Sequence, residues 1–501
     1  MFRRLVHRLH AFGSDRRGNV LLLFGLTIIP TMLAIGAAVD YSRALNVKQR
    51  LGAALDAAAL AVGGATGLTE QQLKDKAQAY FEANYPEAEL GTPGELSVSV
   101  NDFKVTMSAT ANVGTTLMHL AGMSDMAVGA NVEVTKKTRK IEVVMVLDNT
   151  GSMKNGGKIG ALKTAATQLV DTLFDGEMVS SDLMMGLVPF AAAVNIGSEH
   201  LNSGWIDTQA ESSIAAEDFS PGTNVLTLYN EISNRSWNGC VRARRAPFDT
   251  QDTAPAVASP DTLWVPYFAP DEPDVYGNYA NRYASDGDYE GAHYDYDARQ
   301  RYTGKYEDLS VNHINRGPNY NCRMPAVTPM INKKSDLISA IDDMVATGST
   351  VIPAGLAWGW RLISPTEPFT EGGSSSDEGI VKAIVLLTDG KNSVAGGLKN
   401  NHNNSRYSAY GYARSGHLGM TNGNNATSTL NAKTTTLCNN IKAQNIRLYT
   451  ITFKLNDGGT KNLMRNCASK SSMYYDAASN TNLQTVFEDI AKGLSELRIS
   501  K

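Results

Sequence analysis

Residues 141–153 read IEVVMVLDNTGSM, a short apolar run broken only by Glu142 and followed by Asp148, Thr150 and Ser152 on alternate positions. A brief, nearly continuous apolar segment bounded by turn residues is the pattern of a strand buried on both faces, as in a parallel sheet covered by helices. Just past the carboxyl end of such a strand is where ligand crevices form in open α/β sheets. One carboxylate and two hydroxyls on a tight turn there offer three hard oxygen donors. They suit an oxygen-seeking cation, Mg2+ first and Mn2+ or Ca2+ by the same chemistry.

Working outward, further apolar runs at 183–190, 381–387, 446–453 and 472–475 alternate with helical periodicity at 158–174, 334–346, 353–363, 428–444 and 480–497. Strands alternating with helix-length segments predict an α/β fold with a doubly wound, mainly parallel sheet over residues 139–501. Two stretches break the pattern, and both read as insertions. Residues 195–325 read as a long surface insertion; within it, 271–320 hold nine tyrosines among many Asp and Asn. Those tyrosines either serve as contact residues or pack a small core of the insertion itself. Residues 391–427, rich in Gly and Asn, have the composition of an extended loop.

Two later segments return to the sheet edge where Asp148 sits. GSTVIPAGLAWGWRLI (348–363) brings Thr350 into a glycine-bearing loop before a helix, and VKAIVLLTDG (381–390) places Asp389 after a strand. A D-x-[ST]-x-S turn, a distant Thr ahead of a helix start, and an apolar strand ending in TDG together resemble the metal-ion-dependent adhesion site of von Willebrand factor A domains. The resemblance implies that Asp148, Thr150, Ser152, Thr350 and Asp389 ligate a divalent metal, with one coordination position left for an acidic group on a partner. Thr150 stands where Ser is commoner, which keeps the hydroxyl. Ser152 and Thr350 lie much further apart than in compact A domains, a gap that the 195–325 insertion has to explain.

Residues 19–39, NVLLLFGLTIIPTMLAIGAAV, hold no charged side chain. At about 1.5 Å per helical residue this is enough to cross a hydrocarbon core roughly 30 Å thick, with a bend expected at Pro30. Arg3, Arg4, Arg8, Arg16 and Arg17 precede the run, whereas Arg43, Lys48 and Arg50 follow it. That bias keeps residues 1–18 cytoplasmic as a basic leader and sends the remainder outward. A cleavable secretory signal and a buried core helix are the competing readings. Residues 40–63 and 69–84 then carry apolar positions at helical spacing, and 95–135 alternate with period two, so 40–135 read as a helical stalk with a small antiparallel sheet.

RRGNVLLLFGLTIIPTMLAIGAAVDYSRALNVKQRLGAALDAAALA (16–61) resembles the leader of TadG-like Flp pilus-assembly proteins, as do LCNNIKAQNIRLYTITF, NCASKSSMYYDA and the closing LSELRI. This implies a single-pass inner-membrane protein with a periplasmic A domain and with envelope or pilus-assembly proteins as partners. Gly18 stands where pilin-type leaders are processed, but Leu23 replaces the Glu those leaders carry, so the anchor is expected to stay uncut.

Balanced charge, 46 Lys plus Arg against 50 Asp plus Glu, gives no nucleic-acid signature. The four cysteines form no CxxC pair; of three possible connectivities, Cys240–Cys322 with Cys438–Cys467 staples contiguous segments and is preferred. The acidic stretch 285–300 departs from the EF-hand spacing and reads as a solvated loop, and Arg242, Arg244 and Arg245 read as a solvated face. No GxSxG surrounds Ser152, so a non-catalytic role is expected. Alternatives are a surface adhesin for host or matrix ligands and a metal-dependent hydrolase.

Overall fold

The computed structural model describes residues 19–65, 68–85, 91–101, 104–135, 139–274, 280–287, 295–394, 402–421 and 425–499. The basic leader, with Gly18 and its arginines, therefore lies outside the described residues. The chain divides into two compact units, one up to residue 138 and one over 139–500.

In the first unit a single helix, α1 (Asn19–Gly63), runs through both the apolar segment and the expected stalk, and Pro30 lies inside it. Its two halves behave differently. Ala44, Val47, Leu51, Ala54, Leu55, Ala58, Ala59 and Val62 recur at three- and four-residue spacing and are buried, whereas Leu23, Phe24, Ile29, Met32 and Ile35 are exposed. The buried stripe packs on Leu73, Ala77 and Phe81 of α2 (Glu70–Asn84) and on a small sheet. Helix α2 starts at a capping box in which Thr69 and Gln72 satisfy each other's backbone N–H. The sheet is antiparallel: β1 (Thr92–Pro93), β2 (Ser97–Asn101) and β4 (Asp125–Thr135) all pair with β3 (Lys104–Gly114). In β3, Val105, Met107, Ala109, Ala111 and Val113 face the helix while the intervening residues face out, the period-two pattern of a half-buried strand.

The second unit is a doubly wound sheet. Strand β5 (Lys140–Asp148) pairs in parallel with β6 (Leu183–Phe190) on one side and β10 (Ile380–Thr388) on the other; β11 (Arg447–Phe453) and β12 (Tyr474–Ala477) continue beyond β10. Antiparallel additions, β7 (Val194–Asn195), β8 (Cys240–Val241) and β9 (Thr328–Ile331), extend the β6 side. Because β5 is flanked by the next strand in sequence and by one 240 residues on, the chain reverses its winding direction there.

Successive residues of β5 feed opposite layers. Ile141, Val143, Met145 and Leu147 meet α3 (Lys158–Phe174), α6 (Lys334–Asp342) and α10 (Asn480–Ile499). Val144 and Val146 meet α7 (Ile352–Ile363), α8 (Ala426–Ala443) and α9 (Gly458–Cys467). Helix α7 approaches closely because of two glycines one turn apart: a Cβ on Gly355 would lie 2.4 Å from Phe190 Cγ, and one on Gly359 2.3 Å from Val146 Cγ2.

The insertions depart from expectation. The described part of 195–325, which includes α4 (Val225–Glu231) and α5 (Tyr296–Arg301), is not a surface appendage. Trp205, Phe219, Trp237, Trp264, Tyr267, Phe268 and Tyr306 join the same core as Val144 and Val146. Of the described tyrosines there, Tyr229, Tyr267 and Tyr306 each bury a large apolar ring and find a partner for the hydroxyl; Tyr229 Oη, for example, donates to Tyr267 O at 2.8 Å, whereas Tyr302 is exposed. Tyr276, Tyr279, Tyr289 and Tyr294 lie outside the described residues. The 402–421 part of the second insertion is likewise no extended loop, because Tyr407, Tyr410, Tyr412 and Leu418 are buried.

Two charge readings are also corrected. Arg242 and Arg244 are buried; Arg244 stacks 4.5 Å from the Trp264 ring and donates to four backbone carbonyls, of Phe248, Gln251, Thr253 and Thr262. A guanidinium spends its fixed donors on loop carbonyls that would otherwise be buried unpaired. Asp286 is not solvated but pairs with Arg299 and Lys305, each at 3.0 Å. Both disulfides form as preferred, Cys240–Cys322 and Cys438–Cys467.

Candidate metal-binding site

Strands β5 and β10 end side by side, with Leu147 paired to Leu387. Their next residues therefore emerge together at the reversal point. Asp148, Thr150 and Asp389 are buried, as is Thr350. The Asp148 carboxylate is held from both sides: Oδ1 accepts the Thr150 backbone N–H at 2.8 Å, and Oδ2 accepts the Thr388 hydroxyl at 2.7 Å. Across the gap, Asp389 Oδ1 accepts the Ser152 hydroxyl at 2.5 Å and the Thr150 hydroxyl at 3.4 Å, and those two hydroxyls lie 3.0 Å apart.

Thr350 arrives by a separate route. Gly151 N–H donates to Gly348 O and Thr347 N–H to Asn149 O, which clamps the 347–350 loop onto the first turn. On its other side Thr350 O accepts the Ser393 N–H at 2.8 Å. A Cβ on Gly390 would lie 3.1 Å from Thr350 Oγ1 and 3.8 Å from Ser152 Oγ, so the hydroxyls of two loops face one small space that glycine keeps free. All five residues singled out from the sequence thus converge, 202 positions of chain separating the DNTGS turn's Asp148 from Thr350.

Three participants escape the motif. Thr388 orients Asp148 and is visible in the sequence only as the first letter of TDG. Asn392 accepts the Ile352 N–H at 2.9 Å and so anchors the start of α7 beside Thr350. Lys158 follows Gly156 and Gly157, both at positive φ, and enters α3 with its ammonium 2.8 Å from Asp389 Oδ2. No sequence rule would have drawn it in, since its role depends on two left-handed glycines turning the chain back over the site.

Electrostatically the arrangement calls for a cation. Burial, with the Asp389 carboxylate nearby, pushes the Asp148 carboxyl well above the usual carboxylate range. Two buried carboxylates with hydroxyl donors around them are costly unless positive charge compensates them. The Lys158 ammonium supplies part of that charge on Asp389; the donor set is otherwise all hard oxygen, and the glycine-kept space lies between the hydroxyls. These features fit a small divalent ion.

Residues 18–66 match a family model described as "Putative Flp pilus-assembly TadE/G-like". The N-terminal segment is TadE/G-like. This TadE/G-like stretch covers the whole of α1 and stops short of the second unit. No curated protein matches the chain. Among solved structures, the pilus adhesin SpaC from Lactobacillus rhamnosus GG is similar at 10% identity and a TM-score of 0.34, covering 81% of this chain and 36% of its own. The chain thus spans about a third of that protein's length. The vWF domain of the type V pili tip protein Mfa5 from Porphyromonas gingivalis gives 10% identity, coverage of 72% and 96%, and a TM-score of 0.34. Proximal thread matrix protein 1 from the mussel byssus, in a form with a zinc-occupied MIDAS motif, gives 12% identity, coverage of 71% and 46%, and a TM-score of 0.29.

Proposed function

We propose that the chain is a membrane-anchored protein of the bacterial envelope whose second unit binds a protein partner through a divalent metal, in the assembly or anchoring of Flp-type pili. The observation that carries the metal reading is the convergence of Asp148, Thr150, Ser152, Thr350 and Asp389 at the point where the sheet reverses its winding. The TadE/G-like match over 18–66 supports the pilus context, and the exposed apolar half of α1 supports the anchor, with residues 1–18 cytoplasmic and the second unit periplasmic. When bound, the metal would supply positive charge and a coordination position for a partner's carboxylate.

The chain's own residues prepare that exchange. Asp148, oriented by Thr388 and the Thr150 N–H, and Asp389 would provide the charge; Thr150, Ser152 and Thr350 would provide neutral oxygens. The reading is adhesive, not catalytic. The groups that meet at the site, carboxylates and hydroxyls with one ammonium, are suited to holding an ion.

The test is isothermal titration of Mg2+ and Mn2+ into the detergent-solubilised full chain, beside an Asp148→Ala/Asp389→Ala variant. Saturable one-site binding that the folded double variant loses supports the proposal. A folded wild-type chain that takes up neither ion refutes it.

A further inference from the structure

The loop joining β3 to β4 reads TTLMHLAGMS (115–124) and ends a run, Val105 to Ser124, without a single Asp, Glu, Lys or Arg. Its apolar side chains point outward: Leu120 is 80% exposed, Met123 47% and Leu117 38%. A cluster of exposed large apolar residues on one uncharged loop calls for something to cover it.

The same loop is fastened to α1 at a defined level. Asp40, the first charged residue after 19–39, accepts the backbone N–H groups of Thr116 at 3.0 Å, Leu117 at 3.0 Å and Met118 at 2.9 Å. Arg43 donates to the Thr116 hydroxyl. Leu117 rests on Gly36, where a Cβ would lie 2.5 Å from Leu117 Cβ, so glycine permits the loop to seat against the uncharged segment itself. Gly36 is four residues inside Asp40, about 6 Å along the helix axis.

The loop's backbone is also prepared for a dry environment. Besides the three N–H groups held by Asp40, those of Thr115, Leu120, Gly122 and Met123 donate to carbonyls of Ser124, Leu117, His119 and Met118. An apolar medium offers unpaired backbone donors no partner, so such internal pairing is what a loop in contact with lipid needs.

We infer that residues 115–124 form a second membrane contact, in which Leu117, Leu120 and Met123 enter the headgroup and upper acyl region of the leaflet next to residue 39. The inference rests on the reading of 19–39 as a membrane span. The occupant is the bilayer, because Asp40 and Gly36 set the loop level with the end of that span; an apolar side chain placed there gains by leaving water.

The experiment uses the full chain in phospholipid nanodiscs with a nitroxide on Leu120→Cys, the four native cysteines being paired in disulfides. Collision of the label with oxygen is compared with collision with a water-soluble nickel chelate. Reference labels sit on Phe24→Cys, within the span, and on Thr106→Cys, on the outer face of β3. A label at 120 that prefers oxygen, as the one at 24 does, supports the inference. A label at 120 that behaves like the one at 106, while 24 remains in lipid, overturns it and leaves the span intact. A label at 24 that behaves like the one at 106 overturns the span and the loop contact together.

Discussion

The ammonium of Lys158 lies 2.8 Å from Oδ2 of Asp389, on side chains that are 14% and 0% exposed. A tethered cation thus holds one oxygen of the carboxylate that a divalent ion would use. Lys158→Met is expected to tighten Mg2+ binding about tenfold, because like charge near the ion is removed. The same change should lower the thermal midpoint in the presence of chelator, because Asp389 is left buried with one partner fewer. Titration calorimetry and thermal denaturation read the two effects, and unchanged Mg2+ affinity would count against the competition.

Gly390 keeps space between Thr350 and Ser152. Gly390→Ala should weaken Mg2+ binding about tenfold while changing stability in chelator by less than about 0.5 kcal/mol, as expected of a change that fills a site without disturbing a core. Calorimetry with a parallel urea titration distinguishes this from general damage, in which both quantities would fall.

Gly359 allows α7 to lie against Val146. Gly359→Ala should cost about 1–3 kcal/mol through overpacking, read as a lower urea midpoint. Adding Val146→Ala should recover part of that loss, since it removes the atom the new methyl strikes. Purely additive losses would contradict the contact.

His417 is buried between Arg242, whose guanidinium is 3.0 Å from Nδ1, and Arg244 O, 3.3 Å from Nε2. Glu217 Oε2 lies 3.5 Å from Nδ1. Burial first, and then Arg242, hold the imidazole well below its ordinary value. The unfolded chain therefore takes up the proton before the folded one does. Stability is fully present above about pH 6.5 and falls as the medium acidifies. Below about pH 6.5 this histidine should therefore lower stability progressively as the medium acidifies. His417→Gln, which can keep both hydrogen bonds, should flatten that slope in urea titrations across the range; an unaltered slope would assign the acid sensitivity elsewhere.

Much of this was legible from residue types. Helix α3 and strand β6 fall where their periodicity placed them, and all five candidate ligands meet, because a buried strand can deliver its following turn only to one edge of the sheet. What was not legible depends on long-range packing. Composition made 195–325 look solvated, yet Tyr267, Trp264 and Arg244 are core residues; the polar tips of Tyr267 and Arg244 read as surface until the Tyr320, Thr262 and Gln251 carbonyls that accept from them are known. Helix α9 was missed because it opens on Gly458 and Gly459, poor helix formers, and is set instead by Asp457 capping the Thr460 N–H at 2.7 Å. Lys158 was missed because its importance lies in a turn's handedness rather than in its own identity.

Helix α1 is one rod of 45 residues, about 68 Å long, and the residues that pack the first unit's core follow without a break on those read as crossing the bilayer. On that reading anchor and foundation are the same object. Between Gly63 and Asp40 no proline interrupts the helical hydrogen-bond ladder, so a pull on the first unit would be borne axially by α1 up to the apolar segment that holds Pro30, rather than dissipated in a linker.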